Sequence, residues 1–147
     1  MIFREAVAAD VPAIIAMLAD DDLGRAREGA PMAAYMAAFA EIAANPRESL
    51  IVGELDGRVV ATLQLTILSG LSRGGARRAL VEAVRVAGDL RGQGIGARLM
   101  AEAERRARES GAGIIQLTTD QSRVRAHDFY KRLGYEPSHL GMKKKLG

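Results

Sequence analysis

The sequence predicts an α/β fold: a mixed, mostly antiparallel central sheet with helices on both faces, in the order β-α-α-β-β-β-α-β-α-β-β. Three observations carry this. Leu50–Leu55 and Val59–Leu68 are apolar, β-branched runs separated by Asp56-Gly57, a strong hairpin signal. After Gly94, apolar residues recur every four positions (Ile95, Leu99, Ala103, Ala107), which is the stripe of an amphipathic helix. That helix lies between two further strand-like runs, so hairpin-connected strands come first and helix-separated strands follow.

Element by element, Ile2–Val7 reads as the first strand. Asp10 is placed to cap a helix that runs to about Ala19, with Pro12 tolerated in its first turn. Asp20-Asp21-Asp22 then breaks the pattern, as a solvated loop or a lure for a cationic ligand. Pro31–Ala44, rich in Ala and Met, predicts a second helix that stops before Asn45-Pro46. The hairpin follows, then a Gly- and Arg-rich loop over Ser69–Arg78 and a strand over Ala79–Val86. Gly88–Gly94 is a loop, and the long helix continues to about Ser110, where Gly111 stops it. Ile114–Thr118 is a short strand, and Arg123–Leu133 a helix closed by Lys131, Arg132 and Gly134. Tyr135 and Leu140–Lys145 are expected to form a final pair of short strands.

Length and composition narrow the function classes. A chain of 147 residues predicts one domain, 1–147, able to bury a core without covalent staples. With no cysteine there is no disulfide framework, thiolate zinc site or Cys nucleophile, and a reducing cytoplasm is the expected location. The opening residues lack the charge-then-apolar layout of a signal peptide, and no apolar run reaches the roughly 18 residues of a membrane span. The net charge of +3 suits an anionic partner, but few aromatics and no Trp argue against nucleic acid. The two histidines lack any supporting ligand spacing, so no metal is expected.

Arg91-Gly92-Gln93-Gly94-Ile95-Gly96 sits between a strand and a helix. Glycines let backbone approach a ligand closely, and the first amides of a helix are unpaired and point outward with the positive end of its dipole. Such a loop holds phosphate, and Arg91 adds a guanidinium at its mouth. Gly92-x-Gly94-x-x-Ala97, with Asp120 near the end of a later strand, also fits a loose dinucleotide fingerprint. The upstream hairpin and the shortage of later helix-separated strands oppose that second reading.

Val84-Arg85-Val86, then Arg91-x-x-Gly94-x-Gly96 and a long helix, resembles the signature of the GNAT N-acetyltransferases. Ala126-His127-Asp128-Phe129-Tyr130-Lys131-Arg132-Leu133-Gly134-Tyr135 resembles that family's second motif. The resemblance implies the acyl-CoA N-acyltransferase fold, acetyl-CoA as cosubstrate, an amine acceptor and, as is common in the family, a homodimer. It also implies site residues. The strand Val84, Arg85, Val86 would offer backbone groups to the pantetheine arm. The amides of Arg91, Gly92, Gln93, Gly94, Ile95, Gly96 and Ala97 would hold the pyrophosphate. Tyr130 would stand near the cofactor sulfur, and Arg123 takes the place of the family's cofactor-contacting Asn.

Acetyl transfer from a thioester to an amine needs a neutral amine, a stabilised oxyanion and a proton for the leaving thiolate. The Val86 amide suits the oxyanion. Tyr130 suits the proton donor, since a tyrosine is protonated at neutral pH; packing its ring in the core is the competing role. Glu82, two residues before Val84 in an apolar context, is the candidate base, with burial expected to raise its proton affinity. Its competing roles are an exposed strand face or a salt bridge, for instance to Arg85 or Arg78. Without a Cys or an activated Ser, transfer is expected to be direct.

Overall fold

The computed structural model describes all 147 residues. The strands are β1 (Ile2–Glu5), β2 (Glu48–Leu55), β3 (Arg58–Leu68), β4 (Arg77–Val86) and β5 (Ala112–Leu117). The helices are α1 (Val11–Leu18), α2 (Asp22–Arg27), α3 (Met32–Ala44), the single turn α4 (Ser72–Gly75), α5 (Ile95–Glu109) and α6 (Val124–Arg132). The strands form one sheet in the order β1-β2-β3-β4-β5. Neighbours are antiparallel from β1 to β4, and β5 joins β4 in parallel through the crossover helix α5. The predicted mixed sheet is therefore present, with a single helix-separated parallel pair. A dinucleotide fold needs several such pairs, so the alternative reading of the glycine loop falls.

Strand alternation assigns the two faces of the sheet. Ile51 pairs with Leu63, Leu65 with Val81 and Ala61 with Val86, so these side chains share one face. Helix α5 covers that face with Ile95, Leu99, Met100, Ala103 and Ala107, all buried in the same apolar cluster. Leu50 pairs with Gln64 on the opposite face. There α1 and α3 lie over it, and Val11, Ile14, Tyr35 and Phe39 line an apolar groove with Leu50, Thr62 and Gln64. At the N-terminal end, Arg4 ties β1 to Asp10 at 2.7 Å and to Glu54 on β2 at 2.8 Å.

Three expectations are corrected. The final strands at Tyr135 and Leu140–Lys145 do not form: nothing after Arg132 is helix or strand. Pro137 cannot donate to a ladder, and Leu140, Met142 and Leu146 find no surface of this chain to cover and stay exposed. The acidic run is not simply a loop, because Asp21 caps α2 by accepting the Gly24 amide at 2.5 Å. Asp10 does precede α1 but makes no cap bond; its carboxylate accepts the Val7 amide at 2.8 Å and pairs with Arg4.

Candidate active site

A bulge in β4 creates the site. Gln64 pairs with Glu82, but Thr62 pairs with Arg85, so β4 carries one residue more than β3 between those rungs. Ala83 absorbs the excess with φ 54°, a left-handed conformation that costs a non-glycine residue roughly 1–2 kcal/mol. The bulge changes the phase of the strand. Val81 before it and Val84 and Val86 after it pack against the α5-side cluster, while Glu82 and Arg85 share the face of Thr62 and Gln64. The slip is legible in hindsight: the apolar positions run 79, 81, then 84, 86, an odd phase turning even. Sequence reasoning missed it.

Beyond the bulge β4 has no partner on its β5 side, because that ladder ends at Val81 and Leu117. The two strands part there, leaving main-chain groups of Ala83–Val86 without a strand to bond. Ala87 N–H donates to Val60 O on β3 at 2.8 Å. Successive amides of a strand alternate in direction, so the Val86 N–H points into the gap.

The glycine loop closes one end of that gap. Gly92 and Gly94 have φ 80° and 81°, and a Cβ added to either would meet nothing within 4 Å. These two glycines therefore serve backbone conformation beside open space. Gly96 differs: a Cβ there would stand 3.1 Å from the Phe129 ring, so its bareness lets α5 and α6 approach. The first bond along α5 is Arg98 N–H to Gly94 O at 3.2 Å, which leaves the amides of Ile95, Gly96 and Ala97 free at the helix N-terminus. Free amides, left-handed glycines and unfilled space fit a pyrophosphate. Gln93 lies within this loop. The exposed Arg91 side chain leans toward Asp20, at 3.5 Å.

Helix α6 brings Tyr130 to the same region. Its ring packs edge-on against Phe129, centroids 5.0 Å apart, and against Tyr135 at 5.9 Å. Burial raises the Tyr130 hydroxyl above its usual acidity range, against the opposing charges of Arg85 and Arg123. Tyr130 thus packs and keeps its proton. Arg123, just before α6, pairs with Asp21 at 3.0 Å and so links α6 to the α1–α2 connection. Burial pushes the Asp21 carboxyl up, but the Gly24 amide and the Arg123, Arg85 and Arg91 charges outweigh it, so the net shift is downward. Burial, then the neighbouring Arg123, lowers the Arg85 guanidinium.

Glu82 is exposed, as the competing reading of an open strand face has it, so the burial invoked for a base is missing, and it forms no ion pair with Arg85 or Arg78. It stands on the Arg85 face of the sheet. Asp120 serves its own turn, accepting the Ser122 amide at 3.0 Å, and contacts Arg27 at 3.4 Å. His127 Nε2 bonds Asp120 O at 2.8 Å. No group of three or more His, Cys, Asp or Glu residues is arranged to hold a metal. No helix is long and apolar enough to cross a membrane.

Comparison with known proteins places this geometry. Residues 15–135 match the acetyltransferase (GNAT) family. An aminoalkylphosphonate N-acetyltransferase from Salmonella typhimurium is 47% identical over 57 residues, which span 39% of this chain and 37% of that protein. A crystal structure of a transcriptional regulator from Bacillus halodurans C-125 superposes with a TM-score of 0.95, at 41% identity over 99% of both chains. Glucosamine-6-phosphate N-acetyltransferase from Arabidopsis thaliana shares the fold, with a TM-score of 0.83 at 19% identity over 99% of this chain and 98% of that one.

Proposed function

Because this chain belongs to the acetyltransferase (GNAT) family, we propose that its 147 residues act as one N-acetyltransferase domain that transfers the acetyl group of acetyl-CoA directly to a primary amine of a small molecule or peptide. The observation that carries the reading is the parted β4–β5 ladder opening beside a glycine-rich helix N-terminus, with Tyr130 at the same place.

Acetyl-CoA supplies the acyl group already activated as a thioester. The chain's residues do the rest. The amides of Ile95, Gly96 and Ala97 hold the pyrophosphate, and the freed β4 backbone around Val84 and Val86 aligns the pantetheine arm. The Val86 N–H faces the position where negative charge develops on the acyl oxygen. Tyr130 donates its proton to the departing sulfur, a role its raised proton affinity favours at neutral pH. Glu82, exposed and on the Arg85 face, takes the amine proton directly or through water.

A second reading has one observation behind it. The Bacillus halodurans relative, alike over almost its whole length, carries the name of a transcriptional regulator. In that reading this chain binds acyl-CoA without turnover, as a sensor. Thiol release from acetyl-CoA across a panel of amines and peptides decides between them. Amine-dependent thiol release supports the enzyme, and acetyl-CoA binding with no release on any acceptor supports the sensor. Gly94→Val should abolish cofactor binding in either case; native affinity in that variant would remove the glycine loop from the site.

A further inference from the structure

Of Arg27, Arg85, Arg91 and Arg123, three have a carboxylate: Arg27 meets Asp120 at 3.4 Å, Arg91 meets Asp20 at 3.5 Å and Arg123 meets Asp21 at 3.0 Å. Arg85 has none. Its only hydrogen bond runs from Nη1 to the carbonyl of its own neighbour Val84, at 2.8 Å. Its Nε is sealed from solvent with no partner, as is Nη2 of Arg123. A shielded guanidinium nitrogen without an acceptor is costly, and two of them side by side add mutual repulsion.

The bulge decides which ligand could relieve this. It turns Arg85 onto the face that α1 and α3 cover, while the glycine loop opens α5, which covers the other face. The pyrophosphate site is therefore not where Arg85 points. The Arg85 and Arg123 charges act on the Tyr130 hydroxyl, and Arg123 opens α6, the helix that carries Tyr130 seven residues on, a rise of roughly 10 Å.

Resting on the acetyltransferase reading, we propose that Arg85, flanked by Arg123, anchors an oxyanion group of the acceptor, making the acceptor class a small primary amine that carries a phosphonate, phosphate or carboxylate. The planar fork of arginine matches such groups two oxygens at a time. The unpartnered Nε and Nη2 atoms mark two guanidinium groups whose hydrogen-bonding capacity the protein itself leaves unused.

Two measurements test this. Methylphosphonate is titrated calorimetrically into protein saturated with CoA, so that the cofactor's phosphates already occupy the glycine loop. Native protein should bind it, and Arg85→Gln should weaken binding about 10- to 100-fold, the range of a charged hydrogen-bond pair. No binding to the native protein, or equal binding in the variant, overturns the proposal. In the second measurement, the kcat/KM ratio of 2-aminoethylphosphonate over ethanolamine should favour the phosphonate. That ratio should fall about 10- to 100-fold in Arg85→Gln, with Arg85→Lys in between. Equal loss on both acceptors overturns the proposal. Thermal midpoints establish that the variants fold, and Arg123→Gln, expected to behave alike, replaces Arg85→Gln if it does not. An absence of amine acetylation would defeat the enzyme reading alone, since the titration still decides the anion site.

Discussion

Tyr130 and Glu82 could both move protons, and their surroundings separate them. Tyr130 is shielded by Phe129 and Tyr135, and that burial holds its hydroxyl protonated. Glu82 stands in solvent. In the proposed reaction the proton donor is therefore the prepared group and the base the replaceable one, since water can serve in its place. Tyr130→Phe keeps the ring packing and removes only the proton, so kcat should fall by about 100-fold or more. Acetyl-CoA affinity should stay near native. Steady-state turnover paired with equilibrium cofactor binding checks this, and parallel losses in both would assign Tyr130 to packing. The motif around Tyr130 was readable in the sequence because it is local. The role of Arg85 was not, because it depends on a partner that is missing and on the face to which a bulge turns it.

Helix α5 joins two tasks along its length. Its N-terminus offers free amides, its middle buries Leu99, Met100 and Ala103, and its outer side carries ion pairs. Glu102 meets Arg105 at 2.8 Å and Arg106 at 2.8 Å, and Arg106 reaches Glu5 on β1 at 2.6 Å. The Arg105 hydrogen bond first, then the Arg106 one, hold the Glu102 carboxyl at about 2, below its ordinary 4.5. A carboxylate depressed by folding adds stability above its unfolded value and loses it as pH falls through its folded value. Glu102→Gln should therefore lower the urea midpoint at pH 7, and the gap to native should close between about pH 4.5 and about pH 2. A gap of constant size over that range would mean that the pair adds nothing through its charge. The stripe of α5 and its stop at Gly111 were legible because a four-residue spacing is a property of the chain alone. Helix α2 was not, since it is six residues long and rests on the Asp21 cap.

One hydrogen-bonded sheet runs from β1 to β5, and α5 contacts three of its strands. No internal seam divides it, so heating should give a single transition whose van't Hoff and calorimetric enthalpies agree. Two resolved transitions in scanning calorimetry would contradict the assignment of residues 1–147 to one domain. The strand order was legible up to β5 because hairpin and crossover signals are strong; the last two expected strands failed because Leu140, Met142 and Leu146 have nothing in this chain to cover. The bulge at Ala83 also bears on how such a molecule can change over evolutionary time. Exchanging side chains along β4 alters one contact at a time. Removing a single residue between Glu82 and Arg85 would instead even the two strands, leaving Arg85 and Val86 on their present faces but erasing the bulge beyond which the gap beside β5 opens. This stretch can drift in composition, but its extra residue is what keeps the opening.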